Sequence, residues 1–160
     1  ESRARRCARD ADRLDSPSFM RPVMTHIALH VRDIDASVAF YGRYCGLHVV
    51  RERSSLRDHA SDRRTVWMSE PGRERDLVFV LVPGGGRAPS RFGDCSHFGF
   101  ALENRDAVEE IAARARAEGC LEWDVADEPP PVGTFCGVRD PDGNVVEFSF
   151  GQPLGPFAGT

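Results

Sequence analysis

The sequence predicts an α+β fold of two βαβββ modules, whose curved mixed sheets together form a cup. The order strand, helix, three strands occurs twice along the chain, and the two equivalent first strands place His26 and His97 71 residues apart. Each module also has a turn motif before its last strand, Glu70-Pro71-Gly72 and Asp140-Pro141-Asp142-Gly143. Because neither module is large enough to bury both faces of its sheet, we expect the two sheets to face each other.

The chain divides into five parts by composition. Residues 1–22 contain six arginines and few apolar residues, which predicts a flexible leader. We assign residues 23–83 to the first module, 84–94 to a linker rich in Gly, Pro and Arg, 95–151 to the second module and 152–160 to a tail.

The first module begins with a strand at residues 25–31, whose larger apolar residues alternate with its two histidines. Asp33 can cap the following helix, and Gly46 can end it. Further strands are expected at about 47–53, 65–69 and 77–82. The charged segment 51–64 predicts a mobile loop.

The second module repeats this order. A strand at 96–102 is followed by a helix that Asn104 can cap and Gly119 can end. Strands are expected near 121–126, 134–138 and 144–150.

Composition excludes several classes of function. All 21 basic residues are arginine, so no lysine is present to form a Schiff base or to bind phosphate in a Walker A loop. The net charge of -4 gives no reason to expect nucleic acid or an anionic membrane as a partner. No apolar run approaches the roughly 20 residues that span a bilayer. The five cysteines are widely spaced without C-x-x-C, so we expect reduced thiols in the cytoplasm.

Three side chains at comparable places suggest a metal site. His26 and His97 open equivalent strands, and Glu147 lies inside an apolar strand, where a carboxylate is costly unless it is paired, protonated or bound to a metal. Single strand histidines are more often core residues, but the repeated pair and the embedded acid favour a divalent ion, Fe²⁺, Mn²⁺, Zn²⁺ or Ni²⁺. The ion would bind two oxygens of a small substrate and stabilise negative charge.

Glu147 and His30 are the candidate catalytic residues. His30 lies on the same strand face as His26, and a histidine can exchange protons near neutral pH. Trp67, Phe79 and Phe135 are either wall residues of the cup or core residues.

The segments 25–33, 37–41, 96–100 and 140–147 resemble the signatures of the vicinal oxygen chelate superfamily. That superfamily includes glyoxalase I, methylmalonyl-CoA epimerase, extradiol dioxygenases, and fosfomycin-resistance and bleomycin-resistance proteins. The resemblance covers about residues 24–151 and implies a glyoxalase-like fold. It also implies a divalent metal held by His26, His97 and Glu147, a small-molecule substrate and a homodimer.

The chain departs from individual members of that superfamily. The fourth ligand of glyoxalase I and the epimerase corresponds to Val80, and residues 132–139 lack the His and Tyr of extradiol dioxygenases. The place of the fosfomycin enzymes' threonine is taken by Ala28. The reaction therefore stays open between lyase or isomerase chemistry and Fe²⁺-dependent dioxygenation, and the alternative function is non-catalytic binding of the bleomycin-resistance type.

Two arrangements of the cup are also open. The chain either closes its own cup or exchanges halves with a second copy, so that His26 comes from one chain and His97 with Glu147 from the other.

Overall fold

The structure is a computed structural model that describes residues 22–55, 63–84 and 95–156. Residues 1–21 of the expected leader, 56–62 of the expected loop, 85–94 of the linker and 157–160 of the tail lie outside these ranges. The described elements, in chain order, are β1 (His26–Val31), α1 (Ile34–Cys45), β2 (His48–Ser55), β3 (Arg63–Ser69), β4 (Val78–Pro83), β5 (His97–Ala101), α2 (Arg105–Glu118), β6 (Leu121–Glu128), β7 (Gly133–Arg139) and β8 (Val145–Phe150).

The strands form two four-stranded mixed sheets with the same topology. Their orders are β1-β4-β3-β2 and β5-β8-β7-β6. The parallel neighbours are β1 with β4 in the first sheet and β5 with β8 in the second. The other neighbours are antiparallel. The predicted α+β fold of two βαβββ modules is therefore confirmed.

Local sequence sets the ends of both helices. The side chain of Asp33 accepts a hydrogen bond from the backbone N–H of Ala36 at 3.0 Å, and Asn104 caps α2 in the same way. Gly46 and Gly119 follow the helices with φ of 66° and 72°, the left-handed conformation that glycine adopts without strain.

The strands β2 and β3 extend further than predicted into the charged segment 51–64. β2 runs to Ser55 and β3 begins at Arg63. The expectation of a loop from residue 51 was therefore wrong. The reason is that β2 is an edge strand, where charged side chains are exposed without loss of the backbone ladder.

The two modules share one core, in which aromatic rings from the first module pack on rings from the second. The rings of Phe79 and Phe98 lie 5.4 Å apart, and those of Phe79 and Phe100 lie 5.9 Å apart. Tyr41 of α1 stacks near Phe98 at 6.3 Å. Phe79 is 5% exposed and therefore belongs to the core, not to the wall of a cup.

The turn before β8 joins the second module to the first. The hydroxyl of Tyr41 donates to Asp140 Oδ2 at 2.7 Å, and the Nε of Arg32 donates to Asp142 Oδ1 at 2.9 Å. Both carboxylates are buried. Burial and the neighbouring Asp140 raise the pKa of the Tyr41 phenol far above its usual value, so it remains a hydrogen-bond donor.

Candidate metal centre

His97 and Glu147 come together on neighbouring strands of the second sheet. Gly99 pairs with Glu147 in the parallel β5–β8 ladder, and His97 lies two residues before Gly99 on the same face. His97 Nε2 is 3.3 Å from Glu147 Oε2. The Glu147 side chain is buried, and His97 is exposed. We call the face of the second sheet that carries His97, Gly99 and Glu147 its open face.

The two polar atoms that do not face each other, His97 Nδ1 and Glu147 Oε1, form hydrogen bonds with other groups. His97 Nδ1 lies 2.6 Å from the carbonyl oxygen of Cys95, which can only accept, so this nitrogen carries the proton and Nε2 presents its lone pair in the neutral ring. Gln152 Nε2 donates to Glu147 Oε1 at 3.0 Å. One nitrogen and one carboxylate oxygen are thus left facing each other.

The pair lines a cavity of about 980 Å³ that runs along the edge strand β5 and is lined from both faces of that strand, by Gly99 on one side and Phe98 on the other. Part of its wall comes from the segment after β8, which includes Gln152 and Leu154, and part from the C-terminal end of α1 at Tyr44. A cavity of this size can accommodate a small-molecule substrate.

Trp123 and Gly137 support the position of His97. The Trp123 indole meets the His97 ring edge to face at 5.4 Å between centroids. A Cβ added to Gly137 would lie 2.5 Å from the Trp123 ring, so the indole occupies the space that a side chain on β7 would need. Sequence reasoning missed both residues, although a glycine inside a strand indicates a close approach.

His26 and His30 lie on the corresponding open face of the first sheet. Both are exposed on β1, and His26 Nδ1 is 3.0 Å from Thr25 Oγ1. Across residues 22–55, 63–84 and 95–156, no group of three or more His, Cys, Asp or Glu side chains is arranged to hold a metal ion. Within the described residues, His26 is therefore not grouped with His97 and Glu147.

The register of the first sheet identifies the residue equivalent to Glu147. Ala28 pairs with Val80 as Gly99 pairs with Glu147 in the second sheet. Val80 is 8% exposed, so an apolar side chain occupies this position.

The fold and a match to a family model together define the class of protein. A family model, described as the Glyoxalase/Bleomycin resistance protein/Dioxygenase superfamily, matches residues 23–148, and the chain belongs to that superfamily. No helix in the part of the chain that the structure describes is long and apolar enough to cross a membrane.

One protein is similar to this chain in sequence, and two solved structures share its fold. It is 53% identical over 137 residues to the uncharacterised Pseudomonas aeruginosa protein PA2024, which covers 86% of this chain and 94% of that protein. It superposes on Leishmania major glyoxalase I with a TM-score of 0.59 and 23% identity, covering 82% of this chain and 88% of that one. It also superposes on the fosfomycin resistance protein FosX from Listeria monocytogenes, complexed with Mn(II) and sulfate, with a TM-score of 0.61, 16% identity and coverages of 81% and 92%.

Proposed function

We propose that this protein is a divalent-metal-dependent enzyme that binds a small substrate through two neighbouring oxygens and catalyses a lyase or isomerase reaction. The observation that carries the proposal is the facing pair of His97 Nε2 and Glu147 Oε2, 3.3 Å apart. Two donor atoms that each bind one ion at about 2.0–2.2 Å lie about 3 Å apart, so the pair fits a metal without rearrangement. The Mn(II) in the FosX structure supports Mn²⁺ as the first ion to test.

The third ligand in this proposal is His26 of a second copy. His26 and Ala28 are exposed, whereas Val31, which points to the opposite face of β1, is fully buried. The first sheet thus presents an uncovered face with an imidazole at the position equivalent to His97. In a two-fold symmetric dimer, each first sheet would cover the second sheet of its partner, which gives two identical sites.

The residues around the proposed metal have separate roles. A bound metal supplies a Lewis acid that polarises a substrate oxygen and stabilises negative charge. Gln152 fixes the Glu147 carboxylate, and Trp123 supports the ring of His97. His30, two residues after His26 on the same face of β1, is the group available to move a proton on the substrate.

The residues of β7 favour lyase or isomerase chemistry over dioxygenation, because this segment lacks the His and Tyr of extradiol dioxygenases. In register with Ser149 and Glu147 of β8, it presents Phe135 and Gly137, which can neither donate nor accept a proton. The proton-transfer group must then come from another strand, and His30 meets that requirement.

Metal binding by two matched histidine variants tests the proposal. Wild type, His97→Ala and His48→Ala are loaded with Mn²⁺ and desalted, and bound manganese and circular dichroism are measured. His48 is the control because it pairs with Glu74 at 3.4 Å, on a strand that contributes nothing to the pair. We expect His97→Ala to lose the metal with its fold intact, and His48→Ala to keep it. Equal manganese in wild type and His97→Ala would overturn the proposal and favour non-catalytic binding.

A further inference from the structure

A row of side chains crosses the open face of the first sheet and ends in an arginine. Residues paired between neighbouring strands point to the same face. Ala28 pairs with Val80, Val80 with Trp67, and Trp67 with Arg51. Arg51 therefore lies on the same face of the sheet as His26, at the far edge strand.

The strands of this face carry a second arginine beside Arg51, although the chain as a whole carries a net charge of -4. Arg53 pairs with Thr65, two residues before Trp67, and so lies beside Arg51 on the same face. The described strands β1 to β4 contain one acidic residue, Glu52, which alternates to the opposite face and pairs there with Arg64 at 3.5 Å.

Both arginines are exposed and free of ion pairs with described residues. The ion pairs that involve the strands of the first sheet use His48 and Arg64. Arg51 and Arg53 take part in none of them, and two adjacent guanidinium groups without an acidic partner attract an anion. Guanidinium groups bind the planar oxygens of carboxylates and phosphates particularly well.

We propose that Arg51 and Arg53 bind an oxyanion, a carboxylate or a phosphate, on the substrate of this site. The inference rests on the proposed function, because the two arginines would bind one end of a substrate whose other end binds the metal. Strands lie about 4.8 Å apart, so the backbone of Arg51 is about 14 Å from β1 across two intervening strands. Val80 and Trp67 lie between them, which suits a substrate with an apolar middle section.

Chelating probes with and without a charge test the proposal. Protocatechuate, homoprotocatechuate and dihydrocaffeate carry a carboxylate on successively longer arms of a catechol, and their methyl esters are neutral matched controls. Binding to the Mn²⁺-loaded protein is measured by calorimetry. Inorganic phosphate at constant ionic strength, used as a competitor, distinguishes a general oxyanion site from one selective for carboxylate.

We expect at least one acid to bind about tenfold more tightly than its ester, because a charged carboxylate forms stronger hydrogen bonds with guanidinium groups than a neutral ester does. The double variant Arg51→Gln/Arg53→Gln should lose this preference and bind the esters as wild type does. Arg75→Gln is the control, since Arg75 is exposed in the turn before β4 and outside this face.

The outcomes separate the two proposals. If the esters bind in a metal-dependent way but no acid is preferred, or if the preference survives in the double variant, the oxyanion assignment is wrong and the metal site stands. If neither acids nor esters bind the Mn²⁺-loaded protein, the proposed function fails, and this inference fails with it.

Discussion

Removal of the Gln152 amide should weaken metal binding although this residue is not a ligand in the proposed site. Gln152 Nε2 donates to Glu147 Oε1 at 3.0 Å, and Glu147 is 8% exposed, so water can replace this donor only in part. A hydrogen bond to a charged group contributes about 1.5–3 kcal/mol, and loss of such a supporting partner typically lowers metal affinity about 10- to 100-fold. We therefore expect Gln152→Ala to raise the Kd for Mn²⁺ by about 10- to 100-fold.

The assay is a titration of Mn²⁺ at fixed pH in which free ion is measured by electron paramagnetic resonance. Leu154→Ala is the matched control, because Leu154 lies in the same segment and lines the same cavity, but its side chain is 65% exposed. Leu154→Ala should bind Mn²⁺ as wild type does. If Gln152→Ala also keeps the wild-type Kd, the carboxylate does not need this amide, and the reasoning about the pair is refuted.

Three further predictions concern the fold around the site. Tyr41→Phe removes a donor from Asp140, which is 4% exposed, and should lower the free energy of unfolding in urea by about 1.5–3 kcal/mol. Gly137→Ala places a Cβ 2.5 Å from the Trp123 ring, and should destabilise the protein by about 1–3 kcal/mol and change its tryptophan fluorescence. Burial raises the pKa of the Cys136 thiol from 9.0 to about 11, so it should resist a thiol reagent in the native protein. Its contribution to stability is constant below pH 9.0 and should fall between pH 9.0 and about 11, because the unfolded thiol ionises first.

Each of these has a control within the chain. Tyr44→Phe should cost less than Tyr41→Phe, because the Glu118 side chain that Tyr44 bonds is 31% exposed. Gly42→Ala, whose added Cβ would meet its nearest neighbour at 3.5 Å, should leave tryptophan fluorescence unchanged. Cys95 is exposed and should react at once. Equal losses in the two tyrosine variants, an unshifted spectrum for Gly137→Ala, or rapid labelling of Cys136 would contradict the corresponding prediction.

The repeated fold could be predicted because its signals are local. A side-chain oxygen at Asp33 or Asn104 caps the next turn of helix wherever the rest of the chain lies, and Gly46 and Gly119 end the helices for an equally local reason. The ends of β2 and β3 could not be predicted from the charged segment. They depend on which strand lies beside them, and a sequence window does not contain that information.

The candidate site was predictable only in part. His97 and Glu147 were chosen as candidates from the sequence, and they meet because β5 and β8 are neighbours in the second sheet, a pairing that the repeat alone does not give. Gln152 reaches Glu147 through the path of the segment after β8, and no motif marks that path. The proposed approach of His26 from a second chain is not tested by the structure, so it stays a prediction.

Complementation between two chains that each lack one proposed metal ligand tests most directly whether the site is shared. His26→Ala and His97→Ala chains with different tags are co-expressed, and the heterodimer is isolated through both tags. If each site takes His26 from one chain and His97 with Glu147 from the other, one of the two sites in the heterodimer is intact, and it should bind about half the Mn²⁺ of the wild-type dimer. If the heterodimer cannot be isolated, or binds no more Mn²⁺ than either variant alone, the shared metal centre is contradicted.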